Sequence, residues 1–134
     1  VSVFLRLQQA ERARLQAITP AVATRFYGAP GDRPASGDWV EERLVPLAPD
    51  QFRATDSTRH RAQLRLVCRT DAGADALRAL AARVRAHFPA GLALVAAPET
   101  WVVTATAEAD QLAGPGVWLA CLVTIDLLTL SETP

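Results

Sequence analysis

Arg59-His60-Arg61-Ala62-Gln63-Leu64-Arg65-Leu66-Val67-Cys68-Arg69 is followed by the short turn Thr70-Asp71-Ala72-Gly73 and then by Leu77, Leu80, Ala81, Val84 and Phe88 at spacings of three and four. In the first part Ala62, Leu64, Leu66 and Cys68 alternate with Arg61, Gln63, Arg65 and Arg69. A period of two reads as a strand with one buried face and one wet, arginine-lined face. The second part reads as a helix that buries one stripe. Strand and helix therefore share a core, and the rest of the chain is read as packing against them.

The 134 residues fit a single domain, 1–134, large enough for a core without disulfides or metal. Half the residues are hydrophobic, too many for a disordered chain. Formal net charge is zero, which argues against whole-molecule attraction to nucleic acid or an anionic membrane and leaves room for a local basic face. Every cation is an arginine, a planar fork suited to carboxylate pairing. Cys68 and Cys121 sit in apolar strand patterns without metal-ligand spacing and are expected to be buried thiols. The N-terminus has no signal-peptide pattern, and the longest apolar run, Val117 to Leu130, is broken by Thr124, Asp126 and Thr129. A soluble chain made inside the cell, without a membrane partner, is expected.

Working outward, Val1 to Ile18 reads as a helix with Phe4, Leu7, Leu15 and Ile18 on its stripe, Glu11 interrupting it and Pro20 stopping it. Val22 to Tyr27 is a short strand candidate. Gly28 to Asp38 is the strongest loop signal, rich in Gly and Pro. Trp39 to Leu47 is a strand of mixed pattern whose Pro46 suggests an edge or bulge. Pro49 to Thr58 reads as a long connection carrying Phe52, an apolar anchor for its own domain or for a neighbouring subunit. After the helix, Leu92 to Val95 and Thr100 to Thr106 read as strands and Glu108 to Gly116 as a turn region.

The final run, Val117 to Leu130, is apolar on both parities: Leu119, Cys121, Val123, Ile125 and Leu127 against Trp118, Ala120, Leu122 and Leu128. Two predicted helices supply one covering layer, so the second face points to oligomerisation. The expected fold class is α+β, a two-layer arrangement of a mostly antiparallel or mixed β-sheet with two helices packed on one face.

Neither histidine, His60 or His87, has a metal-ligand grouping nearby, and no phosphate-binding loop or nucleophile elbow occurs. His87 reads as a helix C-terminal partner and His60 as exposed. No enzyme and no cofactor are expected. The candidate interface with a neighbouring subunit or other protein partner is Arg59, Arg61, Arg65 and Arg69 on one strand parity, with Glu41 and Glu42 on a possible neighbouring strand and Phe52 in the connection. The arginine face has three readings: a solvated surface partly neutralised by Glu41 and Glu42, intersubunit ion pairs, or the wall of a ring through which DNA passes.

The run RAQLRLVCRTDAGADALRALAARVRAHF, from Arg61 to Phe88, beside the opening helix and the closing VWLACLVTIDLLTL, resembles the tail terminator proteins of long-tailed bacteriophages. The resemblance covers nearly the whole chain and implies a structural virion protein. It would assemble as a hexameric ring on the tail tube, stop tube polymerisation and present a surface to the head connector. Its implied partners are copies of itself, the tail tube protein and a head-tail connector protein, with DNA only in transit through the lumen. The implied location is the head-tail junction of the virion, and the host cytoplasm during assembly. The alternatives are another head-tail connector or neck protein, or a non-viral α+β ligand-binding or regulatory domain.

Overall fold

The computed structural model describes residues 2–29, 31, 33–52, 57–110 and 118–129, and at 49–52, 57, 58 and 110 it describes the backbone alone. The described elements follow in the order α1 (Val3–Gln16), β1 (Ala23–Phe26), β2 (Trp39–Phe52), β3 (Ser57–Thr70), α2 (Ala74–His87), β4 (Ala93–Ala96), β5 (Glu99–Asp110) and β6 (Leu119–Thr129). The strands form one six-stranded sheet in the order β1-β2-β3-β6-β5-β4. β1 runs parallel to β2 and every other pairing is antiparallel, so the sheet is mixed and the fold is α+β.

Alternation in β3 does what its sequence dictates. Ala62, Leu64, Leu66 and Cys68 are wholly buried, while Arg61 and Arg65 are exposed. Register places Cys121, Val123, Ile125 and Leu127 of β6 opposite Cys68, Leu66, Leu64 and Ala62. Onto this layer α2 lays Leu77, Leu80, Ala81, Val84 and Phe88, and α1 lays Leu7 and Leu15, in one continuous core with Trp101 and Val103 of β5. Each fully buried Leu or Phe contributes about 1.5–3 kcal/mol of transfer free energy. Cys68 and Cys121 are both buried, as the apolar strand patterns indicated.

Capping and cross-ties fix the helices. The Ser2 hydroxyl accepts from Leu5 N–H at 3.0 Å and closes the start of α1. Gly73, at φ +98°, turns the chain into α2 through a region that side chains disfavour. At the other ends, Arg14 Nε donates to His87 O at 2.8 Å and His87 Nε2 donates to Arg14 O at 2.6 Å. This reciprocal pair satisfies carbonyls that the last helical turns leave open. The Arg83 guanidinium reaches Pro20 O in the same region.

Several elements are longer than their patterns indicate. Residues 49–52 and 57–58, read as connection, are strand: Asp50, Gln51 and Phe52 pair with Arg59, Thr58 and Ser57 across a bulge after Leu47. The ladder there is made by backbone and needs no apolar alternation. Likewise β5 runs on to Asp110, paired through Thr106–Asp110 with Ile125–Cys121, where Ala and Glu give no strand signal in the sequence. His60 is half-buried rather than exposed, because it shares parity with Ala62, and its ring meets Phe4 edge-on at 5.7 Å.

Pro46 is explained by the sheet edge. Tyr27 N–H donates to Glu42 O at 2.9 Å, so even-numbered residues of β2 turn their backbone groups away from β3. Pro46 has the same parity, and its missing N–H falls on that outer side without breaking the β2–β3 ladder. β1 pairs only with Trp39–Glu42, so β2 is an edge strand from Arg43 onward among the described residues.

Candidate assembly surface

The sheet face opposite the core carries the arginines. Across it Arg69, Val67, Arg65, Gln63 and Arg61 of β3 stand opposite Trp39, Glu41, Arg43, Val45 and Leu47 of β2. On the β6 side the same five residues meet Ala120, Leu122, Thr124, Asp126 and Leu128. Val45, Leu47, Val67, Leu122 and Leu128 are half-buried, so the surface interleaves aliphatic side chains with forked cations. Such a mosaic suits a protein contact better than a purely solvated face.

Its polar contacts run both across and along the strands. Arg69 NH2 lies 3.5 Å from Glu41 Oε1, and its guanidinium sits 5.4 Å from the Trp39 ring centroid. Trp39 in turn meets Trp118 edge-on at 6.5 Å. Arg65 Nε donates to Gln63 Oε1 at 2.8 Å, and Gln63 Nε2 donates to Asp126 Oδ1 at 3.1 Å. Arg43 places its guanidinium 4.4 Å from the centroid of Tyr27, a ring that is 60% exposed. Arg59 continues the parity at the far end of β3, opposite Asp50 and half-buried.

Of the residues expected here, Glu41, Arg59, Arg61, Arg65 and Arg69 share this side of the sheet. Glu42 does not neutralise the arginine face. It lies one residue off in parity, is wholly buried on the helix side, and forms a two-pronged pair with Arg12: Nε to Oε2 at 2.9 Å and NH2 to Oε1 at 3.1 Å. The mixed Trp39–Leu47 pattern hid this, because Trp39 is buried on the arginine side by its neighbouring ring and not by the core. The Phe52 side chain lies outside the described residues; its backbone ends β2 opposite Ser57.

Glu11 is the residue the pattern undervalued. It lies on the buried stripe between Leu7 and Leu15, wholly enclosed beside Glu42, with Arg12 Nε 3.8 Å from its Oε1. Burial above all pushes its carboxyl far above the ordinary carboxylate range; a proton shared toward Glu42 and the Glu42 charge add to this, and Arg12 opposes it. Glu11 is therefore a neutral acid at pH 7 beside the Glu42–Arg12 pair. A charged residue interrupting an otherwise apolar helical stripe was the signal.

Among the described residues no group of three or more His, Cys, Asp or Glu side chains could hold a metal ion. No described helix is long and apolar enough to cross a membrane.

No curated protein matches the chain. In structure it is similar to a chain from the virion of a native gene transfer agent particle, with a TM-score of 0.77, 17% identity and 98% of each chain covered. A second solved chain, whose name states no function, is similar over 100% of both chains with a TM-score of 0.72 and 18% identity. At these identities the likeness concerns the fold. The family model for phage tail terminator proteins matches residues 6–126, which takes in α2, most of α1 and most of the sheet. The chain thus belongs to the phage tail terminator family and is a structural protein of the virion.

Proposed function

We propose that the chain assembles with copies of itself into a hexameric ring that caps the tail tube, ends tube polymerisation and offers the head-tail joining surface. The observation that carries this reading is the sheet face opposite the core. It spans β2, β3 and β6, mixes half-buried aliphatics with Arg61 and Arg65, and is covered by no described helix. A tail terminator has protein neighbours on several sides, and such a face gains most from being covered. Its partners are other copies, the tube protein and a connector protein, with DNA passing only through the lumen.

Light scattering on the purified chain, with negative-stain imaging alone and with isolated tail tubes, tests the proposal. Rings in solution or on tube ends support it, and a monomer that leaves tube ends bare overturns it. Arg65→Glu is expected to weaken assembly while far-UV circular dichroism and tryptophan fluorescence stay unchanged. Unaltered assembly would make Arg65 a solvated residue.

A further inference from the structure

The two ends of the sheet are stepped, and the steps are complementary. β1 flanks only the first four residues of β2, Trp39–Glu42, and beyond them the outer edge of β2 is open among the described residues. At the other end β4 flanks Glu99–Val102, the first four residues of β5, and among the described residues the edge from Thr104 onward has no strand beside it. Successive antiparallel pairings make β2 and β5 run in opposite directions. Their covered starts therefore lie at opposite ends of the strands, and one end of the sheet projects where the other is recessed.

The chemistry of the two ends also differs. Arg25, Arg33, Arg43 and Arg65 have no carboxylate within ion-pair distance among the described residues, and all four gather at the β1 end. They line two adjoining hollows of about 370 and 330 Å³ on either side of Tyr27. Arg43 and Arg65 are direct cross-strand partners, an arrangement of like charges that destabilises unless an anion or an acidic neighbour joins it. Glu41, which borders both hollows, is engaged by Arg69. The free half of β5 carries Asp110 and Glu108, the latter already paired with Arg85 NH1 at 3.2 Å, and no basic residue. Two of the three large apolar side chains exposed among the described residues mark the two ends, Tyr27 beside β1 and Val95, 70% exposed, on β4.

We infer that the β1 end of one copy docks edge-on against the β4–β5 end of the next, so that a head-to-tail contact between copies continues the sheet from subunit to subunit. β1 enters the recess beside β5 as an antiparallel neighbour, and β4 enters the recess beside β2 as a parallel one. Because the two surfaces differ, the contact is heterologous and propagates around a ring instead of stopping at a dimer. It also removes two open strand edges that would otherwise template indiscriminate pairing. The inference rests on the ring reading and specifies which surfaces close it.

Ala23 of β1 and Ala109 of β5 are exposed and lie at nearly the same level of the sheet, through Trp39, Arg69 and Ala120 on one side and Leu122 on the other. The test is Ala23→Cys with Ala109→Cys in one chain, treated with a flexible bis-maleimide, the buried native thiols staying inert. The double variant should give a ladder of linked multimers in denaturing gels, and each single variant should give none. Arg43→Glu in the double variant should cause loss of the ladder. Oligomers in native mass spectrometry without a ladder, or linked dimers from either single variant, overturn the edge contact and leave the ring reading standing. A chain that stays monomeric and unlinked at all concentrations overturns both.

Discussion

Glu11→Gln should make the protein less sensitive to alkaline pH. The folded state holds a proton on Glu11 that the unfolded chain, with an ordinary value near 4.5, releases. Where the folded state binds one more proton than the unfolded state, stability falls as pH rises. The contribution is fully present below the unfolded value and is lost progressively above it. The slope is about 1.4 kcal/mol per pH unit. It depends only on the folded carboxyl staying neutral, not on how far its value is raised. From pH 6 to pH 8 the wild type should therefore lose about 3 kcal/mol to this residue, or roughly 10 °C of melting temperature for a domain of this size.

Glutamine keeps the shape and a donor toward Glu42 but cannot ionise, so the variant should lack that part of the slope. Urea unfolding followed by tryptophan fluorescence at several pH values measures it. Every other side chain is the same in both proteins, so the difference in slope belongs to Glu11. The variant should gain on the wild type steadily from pH 6 to pH 8. Parallel pH profiles would refute the neutral buried acid.

Glu42→Ala strips the half-buried Arg12 guanidinium of its two-pronged carboxylate partner and should cost about 1.5–3 kcal/mol in the same unfolding assay, the range for hydrogen bonds to charged groups. The Cys68 thiol is pushed up to about 12 by burial and by its neighbour Cys121. Both cysteines should therefore resist a thiol reagent at pH 8 until urea unfolds the chain, and immediate labelling would refute their enclosure. Because the ordinary thiol value is 9.0 and the folded one is higher, stability should fall further above pH 9. Removing residues 30–35 keeps the contacts from Gly37 N–H to Asp71 Oδ1 at 3.1 Å and from Thr70 Oγ1 to Asp38 Oδ1 at 2.6 Å. It should leave folding intact and reduce assembly in light scattering; normal assembly would sink a role for that loop.

The β3–α2 unit was legible because a period of two and a period of 3.6 stand side by side without interruption, and each buried residue of that unit is apolar or small. β6 was legible for the same reason, including its two-sided apolar character. What stayed hidden depends on pairing partners. Nothing in Ala23–Phe26 states that it lies parallel to Trp39–Glu42, and without that register the gathering of Arg25, Arg33, Arg43 and Arg65 is invisible. The far halves of β2 and β5 are held by neighbouring backbone and carry no alternation to read. Glu42 was misplaced because Trp39 is large and apolar on the side of the sheet away from the core, which blurs the parity of the strand that contains it.

The buried charges at the β1 end make better sense as a positioning device than as a source of stability. A buried ion pair often contributes no more than well-packed apolar residues would, because desolvation offsets the attraction. Here Arg12 grips Glu42 with two nitrogens, donates from NH2 to Tyr27 O at 3.2 Å and lies 4.8 Å from the Phe26 ring centroid. Glu42 accepts the Tyr27 amide through its own carbonyl. Three contacts from one α1–β2 pair, one to Phe26 and two to Tyr27, thus fix the end of a four-residue parallel strand that has no other strand neighbour among the described residues. Apolar replacements could fill that space but could not hold the Tyr27 carbonyl. Neutral Glu11 beside the pair keeps a second negative charge out of the enclosure, so Arg12 is not divided between two carboxylates. The core charge and the surface step are therefore one construction, with α1 setting the position of the sheet end that we assign to the next subunit.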